Sequence, residues 1–526
     1  MSMRPLRYPA GAAGDPIARA IATASRSTRA RRGDWADLFA WSVNRADRLP
    51  VFRQIYLQIR SAILTRALRP GMRLPSTRAL AARLAVARVS VVAAYEELLA
   101  EGYLTGRAGS GTYVSTALRD LAVRSPSGPA KPRAVRAATL PRHARVFEQL
   151  LEFGRPPDAV PFATGRCSLD ERTSALWRTM SQRALRSLGG AHLGYADPRG
   201  LSEARAAICD YLRTARAVRC EPEQVVITSG TQQAIDLAIR VLLRPRDQVW
   251  VEDPGYPLTQ AALLAAGVEL RPIPVDAQGI DVARGIRTSP RARAVYVTPS
   301  HQYPLGAVLS MPRRMELLGW ARSTGAWIIE DDYDSVFRYA GRPLASLQGL
   351  DDTERVIYTG SLNKMLFPGL RMGYAVVPHA VLPAYVNARN LTDRHPPSVN
   401  QVVLAEFMRE GHFTAHLRRT RLIYERSRDA LAAELARGAA EHLAVDVPEQ
   451  GMHLIARLPR GVSDVAVAEA ARESGVATRA LSRTYLRASP RSGLILGFTG
   501  HPMRAIARAA DRLSRIAAEH ATPGLV

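Results

Sequence analysis

The chain has 526 residues, too many for one hydrophobic core, and its 47% apolar and 23% charged residues suit a globular protein of two or three domains. The excess of 72 Lys and Arg over 47 Asp and Glu leaves a formal charge of +25, which favours a polyanionic partner, although the Arg-dominated composition weakens charge as evidence by itself. No apolar run reaches the roughly 18 to 20 residues that cross a bilayer. Cys167, Cys209 and Cys220 have neither metal-ligand spacing nor the density of a disulfide framework, so reduced thiols in a cytoplasmic protein without a metal site are expected.

Residues 1–45 are rich in Arg, Ala and Ser and read as a basic, flexible extension. Residues 1–116 hold 18 basic and 7 acidic groups, so nearly half of the charge excess sits in less than a quarter of the chain. From Pro50 to about Ala67, Val51, Ile55, Ile59 and Ile63 recur every four positions, with Leu57 and Leu64 beside them, and Pro70-Gly71 ends the pattern. A second helix fits Ser76 to Leu84, capped by Ser76 or Thr77. The third runs from about Arg88 to Ala100, burying Val91, Val92, Tyr95 and Leu98 or Leu99 and leaving Arg88, Ser90 and Ala94 on another face. Gly102 stops it. Tyr103-Leu104 and Thr112-Tyr113-Val114 form two short strands around the glycines Gly106 to Gly111.

Three helices and a glycine-tipped hairpin are the parts of a winged helix-turn-helix, over 46–116, whose third helix enters the major groove of double-stranded DNA. Leu74-Pro75-Ser76-Thr77-Arg78, Val86 to Val91, Tyr95 to Tyr103 and Gly109 to Val114 resemble, in order and spacing, the string of the GntR family. The resemblance implies that Arg78 and Arg88 contact DNA, with Ser76, Ser90 and the wing residues Arg107, Gly109 and Thr112 holding the backbone. Ala87 stands where that family usually has a capping serine, and Val89 takes a commonly polar place. The helix therefore starts either loosely at Arg88 or at Ser90.

Residues 117–158, with Pro126, Pro129, Pro132, Pro141, Pro156 and Pro157, read as a Pro/Arg-rich linker. Beyond it, over 159–520, Val225 to Thr228, Gln248 to Glu252, Ala294 to Thr298, Trp327 to Asp331 and Val356 to Tyr358 read as strands separated by helix-length segments. A largely parallel α/β sheet follows, with a smaller α+β part from about 380. Chemistry-bearing residues gather at the strand ends. Ser229-Gly230-Thr231 closes one strand and opens a helix, an ordinary N-cap when taken alone but also a phosphate cradle. Tyr256 lies in the turn Asp253 to Pro257. The acidic run Glu330-Asp331-Asp332-Tyr333-Asp334 closes a hydrophobic strand where ligands usually sit. Lys364, in Ser361-Leu362-Asn363-Lys364, follows another strand, with Arg371 seven residues later.

These motifs, in the order Tyr195, Ser229, Tyr256, Asp331, Lys364, Arg371, resemble the fold-type I aminotransferases, which bind pyridoxal phosphate (PLP). The resemblance implies that Lys364 is the Schiff-base lysine and that Asp331 pairs with the pyridine nitrogen, Asp332 being the alternative. Tyr333 is placed at the phenolic oxygen, Tyr256 on the ring, and Ser229, Gly230, Thr231, Ser361 and Arg371 around the phosphate. Tyr195, in Gly194 to Gly200, matches a tyrosine that reaches the neighbouring subunit's phosphate, which implies a homodimer. Asn363 replaces a common serine and Tyr303 a common asparagine.

A GntR module joined to such a domain resembles the MocR/GabR-like regulators. Gly493 to Phe498 lacks the arginine with which the enzymes of this fold anchor a substrate carboxylate, and Arg491 could serve only by a shifted geometry. A regulator sensing an amine, an amino acid or PLP itself is expected, with an active aminotransferase as the alternative. Leu258, two residues after Tyr256, stands where the GABA-responsive members carry arginine, which disfavours GABA.

Overall fold

In the computed structural model, which describes residues 41–47, 49–107, 109–119, 141, 144–148, 160–341, 345–439 and 441–521, the chain divides into two units, Met1–Ala138 and Thr139–Val526. The basic extension, apart from 41–45, and most of the expected linker lie outside the described residues.

In the first unit helix α1, Val51–Leu64, buries Ile55, Tyr56, Ile59, Ala62 and Ile63. It stops short of Ala67 because Arg66 turns left-handed, at φ 59°, and breaks the helical ladder. Helix α2, Thr77–Leu84, is capped by Ser76, whose side chain accepts the Ala79 N–H at 3.2 Å. Helix α3, Arg88–Ala100, starts at Arg88 and not at Ser90, with Ala87 extended at the N-cap and no side-chain cap. It buries Val91, Ala94, Tyr95 and Leu98. Ala94 is thus a core residue, contrary to the sequence expectation: three positions after Val91, it falls on the same helical stripe. Val92 is only half-buried and Leu99 is exposed.

The wing is β1, Leu104–Arg107, paired antiparallel with β2, Gly111–Val114. Tyr103 stays outside the strand, where its hydroxyl accepts from Arg60 Nε at 3.1 Å. Residues 72–74 lie along the other side of β2: Leu74 N–H donates to the Thr112 carbonyl and Val114 N–H to the Met72 carbonyl, both at 2.8 Å. The hairpin is thereby tied to the segment that enters α2.

The second unit is built on an eight-stranded sheet of order β3-β10-β9-β8-β7-β4-β5-β6. Its strands are β3 (Val225–Thr228), β4 (Gln248–Asp253), β5 (Glu269–Asp276), β6 (Gly279–Ile280), β7 (Ala294–Val297), β8 (Trp327–Asp332), β9 (Val356–Ser361) and β10 (Gly373–Val376). From β9 through β8, β7 and β4 to β5 the pairing is parallel. Alternate residues serve different cores: Tyr296 and Ile329 pack on one side, Val295 and Ile328 on the other. Helices on both faces complete the layers.

No strand signal marks β5, because Pro272 and Pro274 interrupt it. Its outer neighbour β6 pairs only with Val275 and Asp276, so both prolines lie where little of a ladder is required. Strand β10 runs antiparallel to β3 and β9, since residues 362–372 bring the chain back through two short helical turns, Leu362–Met365 and Pro368–Leu370, and not through a crossover helix. A four-stranded antiparallel sheet, β11 (Ala444–Asp446), β12 (His453–Arg457), β14 (Gly493–Gly497) and β13 (Arg479–Ala480) in that order, forms the C-terminal part. Cys167, Cys209 and Cys220 are free thiols. No described helix is long and apolar enough to cross a membrane.

Candidate cofactor pocket and nucleic-acid interface

Because β10 is antiparallel to both β3 and β9, strands β3, β4, β7, β8 and β9 all deliver their carboxyl ends to one edge of the sheet. Ligands of open α/β sheets bind at such an edge. Lys364 lies in the helical turn Leu362–Met365, immediately after β9, with Nζ 4.2 Å from the centre of the Tyr333 ring. Tyr303 stands 6.4 Å from Tyr333 and 5.3 Å from Tyr256, in edge-to-face contacts, so three tyrosines make a continuous wall beside the lysine.

The acidic run divides by strand alternation. Asp331 shares a face with Tyr296 of β7, whose hydroxyl donates to Oδ2 at 2.8 Å, while the buried Oδ1 has no hydrogen-bond partner among the described residues. Burial pushes this carboxyl up to about 6, against the opposing pull of the Tyr296 hydrogen bond and Lys364. Asp332 faces the other way, with Oδ2 accepting from Arg216 Nε at 2.7 Å and from the Tyr358 hydroxyl. Burial alone would raise it, but the Arg216 guanidinium and these hydrogen bonds hold it below the usual carboxylate range. Asp332 Oδ1 is likewise without a partner among the described residues, but Asp332 is committed through Oδ2 to an internal ion pair, whereas the Lys364 charge acts on Asp331.

This geometry sets a pH test. A carboxyl raised from 3.8 to about 6 favours folding below its unfolded value and loses that contribution as pH rises through 6. In cofactor-free protein at pH 8, Asp331→Asn is therefore expected to be more stable than wild type by about 3 kcal/mol. The difference should shrink as pH falls toward 5. Glu330, also pushed up to about 7 by burial, titrates alike in both proteins, while Glu252, raised to about 7 chiefly by burial, loses only the smaller push of the Asp331 charge in the variant. Urea melts at the two pH values check this; a pH-independent difference contradicts the assignment.

At the other end of the pocket Thr228, Gly373 and Ser361 stand side by side in register. A Cβ on Gly373 would lie 2.7 Å from Gly230 Cα and 2.9 Å from the Gly360 carbonyl, so the strand ends approach closer than any side chain permits. Gly230, at φ 137°, opens the helix Thr231–Leu242 with no side-chain cap. A Cβ on Gly230 would lie 3.0 Å from Asn363 Nδ2, in the turn that follows Ser361, and Arg371 lies two residues before Gly373, exposed and left-handed at φ 52°. Asn363, in place of the more usual serine, accepts the Met372 N–H at 2.7 Å and braces the lysine turn against β10. Ser229, Gly230, Thr231, Ser361 and Arg371 are thus brought to one strand edge. Tyr195 is not: its ring is 85% exposed and contacts Arg394 and His395.

Sequence reasoning assigned nothing to His301 or Asp334. His301 Nδ1 lies 3.0 Å from both Asp334 oxygens and 3.1 Å from the Tyr333 hydroxyl, so a buried carboxylate orients the imidazole that holds Tyr333. With His453 these groups come within 4.8 Å of one another, close enough to consider a metal. His453 Nε2 is already bonded to the Pro304 carbonyl at 3.0 Å and Nδ1 of His301 to Asp334, which makes the cluster a hydrogen-bonded brace. Nothing local in the sequence relates positions 301, 334 and 453; only the fold does.

In the first unit Arg78 and Arg88 are exposed at the starts of α2 and α3, and Arg88 Nε donates to Thr77 Oγ1 at 3.3 Å, drawing the two helix N-termini together. Ser76 is exposed and Ser90 half-buried beside them. On the wing, Arg107 packs over the Tyr113 ring at 4.7 Å, and Gly109, at φ 70°, makes the tip, with Thr112 half-buried on β2. Exposed arginines at paired helix starts suit phosphate and base-edge contacts.

Residues 52–114 match the family of bacterial regulatory proteins, gntR family, and residues 157–513 match aminotransferase class I and II. The chain is 38% identical to the probable rhizopine catabolism regulatory protein MocR of Rhizobium meliloti, over 86% of this chain and 90% of that one. It is 30% identical to the pyridoxine biosynthesis transcriptional regulator PdxR of Corynebacterium glutamicum, over 85% and 92% of the two chains. Among solved structures, LysN, the α-aminoadipate aminotransferase of Thermus thermophilus in complex with a phosphopyridoxyl-leucine, superposes with a TM-score of 0.65 at 28% identity, covering 72% of this chain and 97% of that one. A gntR-type winged helix followed by a fold-type I aminotransferase domain, in one chain similar over most of its length to regulators of the same build, places this protein in the MocR/GabR-like subfamily of the GntR transcription regulators.

Proposed function

We propose that the protein is a PLP-dependent transcription regulator, in which the winged helix binds operator DNA and the aminotransferase-like unit senses a small amine, an amino acid or PLP itself. The observation that carries this is the placing of Lys364 near a buried carboxylate, Asp331, one of whose oxygens has no partner among the described residues, in a pocket walled by tyrosines. A protonated pyridine nitrogen is a fitting partner for that oxygen, and the glycine-only approach of Gly373 to Gly230 leaves a cradle beside the uncapped helix start. Lys364 would hold the cofactor covalently, Asp331 its ring nitrogen, Tyr256 its face, Tyr333 its phenolic oxygen, and Ser229, Gly230, Thr231, Ser361 and Arg371 its phosphate. When bound, PLP supplies an electrophilic carbon for an incoming amine and an electron sink behind it.

The high exposure of Tyr195 supports a homodimer in which each Tyr195 completes the partner's phosphate site. Arg78 and Arg88, with Ser76, Ser90, Arg107, Gly109 and Thr112, would make the DNA contacts. An effector can then shift DNA binding only if it binds two states of the dimer with different affinity.

An aminotransferase is the competing reading, favoured by the complete lysine and carboxylate set. Ile495 opposes it: the middle of β14 faces the pocket with an aliphatic side chain where transamination requires a fixed substrate acid. Steady-state formation of keto acid or aldehyde from a panel of amines and amino acids separates the two. No turnover at a metabolic rate is expected; turnover of several per second or more would make the protein an enzyme.

A further inference from the structure

Behind Tyr333 the tyrosine wall is closed by two buried residues that the proposed cofactor site does not use. His301 follows β7, and Asp334 follows Tyr333 at the end of β8. Nδ1 of His301 stands 3.0 Å from each Asp334 oxygen and 3.1 Å from the Tyr333 hydroxyl, so one ring nitrogen meets three oxygens. Nε2, on the opposite edge of the ring, is buried without a partner among the described residues. Backbone encloses that edge: a Cβ on Gly306 would lie 3.2 Å from Nε2, and Gly451 leaves no room for a Cβ beside Cε1.

These contacts fix where the protons lie. With the ring proton on Nε2 alone, the Nδ1 lone pair would face two carboxylate oxygens, and the N–H would be a buried donor without an acceptor. Nδ1 therefore carries a proton, which Asp334 and Tyr333 share. The tyrosine oxygen is an acceptor on this side, so its own proton points away from His301, and the hydroxyl has no other partner among the described residues. Burial and the Asp334 charge push the phenol well above its ordinary range, which keeps it a donor. The other titratable groups leave this arrangement in place. Burial and the neighbouring His301 hold His453 down at about 4, and its neutral ring donates from Nε2 to the Pro304 carbonyl. Lys364 lies over the Tyr333 ring, and Asp331, Tyr296 and Tyr303 act on the phenol from the pocket side.

We infer that His301, held by Asp334, is a positioning residue that acts through Tyr333: its Nδ1–H occupies the tyrosine oxygen and reserves the tyrosine proton for the phenolic oxygen of the cofactor. The inference rests on the cofactor site proposed above and assigns the pair that keeps its tyrosine a donor. Such a hydrogen bond favours negative charge on the phenolic oxygen, and so favours the lysine linkage without a proton on its nitrogen. Donation from His301 also polarises the tyrosine and strengthens the bond it gives.

The test is a pH titration of the visible band of the holoprotein, which reads the proton on the linkage nitrogen. Tyr333→Phe sets the scale and should raise the midpoint by about one to two pH units, roughly a 10- to 100-fold gain in proton affinity. His301→Phe, which keeps a ring but has no donor, should produce about half of that rise or more. His301→Asn, whose amide puts an N–H near the place of Nδ1, should stay close to wild type. In the Tyr333→Phe background His301→Phe should add nothing. An intact band before titration shows that each variant is folded and loaded. In wild-type holoprotein labelled with 15N-histidine, the His301 signal, assigned by its loss in His301→Asn, should show a protonated Nδ1, and this decides the matter if His301→Phe does not load. A bare Nδ1, no upward shift in a loaded His301→Phe, an equal shift in His301→Asn, or a shift that persists without the tyrosine hydroxyl overturns the inference. Absence of any cofactor band in wild type would instead sink the sensor reading on which it stands.

Discussion

Lys364→Ala is expected to abolish the visible band of the lysine-linked cofactor and to remove any response of DNA binding to amines, while leaving the fold intact. The side chain lies on a half-buried turn whose geometry is set by its neighbours: Asn363 ties the turn to Met372, and Leu362 and Met365 are buried beneath it. The contact that Lys364 makes through Nζ, over the Tyr333 ring, is worth about 1 kcal/mol at a site of this exposure, so its loss changes stability little. The proposed phosphate end, at the uncapped helix start, Ser361 and Arg371, is untouched, so PLP should still bind noncovalently and more weakly. Absorbance spectra and thermal melts of the two proteins check both halves. A retained imine-like band in the variant would mean that another amine carries the cofactor.

The second large effect is expected in the other unit. Arg88→Ala should weaken operator binding about 10- to 100-fold, as the loss of one base-edge or paired phosphate contact costs about 1 to 3 kcal/mol. Arg78→Ala should behave similarly. Both side chains are exposed, and the hydrogen bond from Arg88 to Thr77 is a surface contact, so neither substitution should unfold the winged helix. The cofactor spectrum should not change. Quantitative gel shifts at fixed salt measure the effect, and fixed salt matters because phosphate contacts alone make affinity strongly salt-dependent. Undiminished binding by both variants would move the recognition surface away from the starts of α2 and α3.

Much of this was legible in the sequence because the relevant signals are local. The Ser76 cap, the period of Ile55, Ile59 and Ile63, and the strand ends at Ser229, Asp331 and Lys364 each follow from a few neighbouring residues. Ala94 was misplaced because a small apolar residue fits either face of a helix until its neighbours are known. Strand β5 was hidden by prolines that only an almost open sheet edge tolerates. The partners that give each acid its character were out of reach for a different reason. Arg216, which neutralises Asp332, and Tyr296, which holds Asp331, lie 116 and 35 residues away along the chain.

The central claim, that one chain couples an amine-sensing cofactor pocket to DNA binding, is tested most directly by a gel shift of the purified protein on its own upstream intergenic DNA, with and without PLP and candidate amines, alongside Lys364→Ala. The account predicts that wild-type affinity or complex mobility changes when cofactor and amine are supplied, and that Lys364→Ala binds the same DNA without that change. Wild-type binding that is identical under all of these conditions would contradict it.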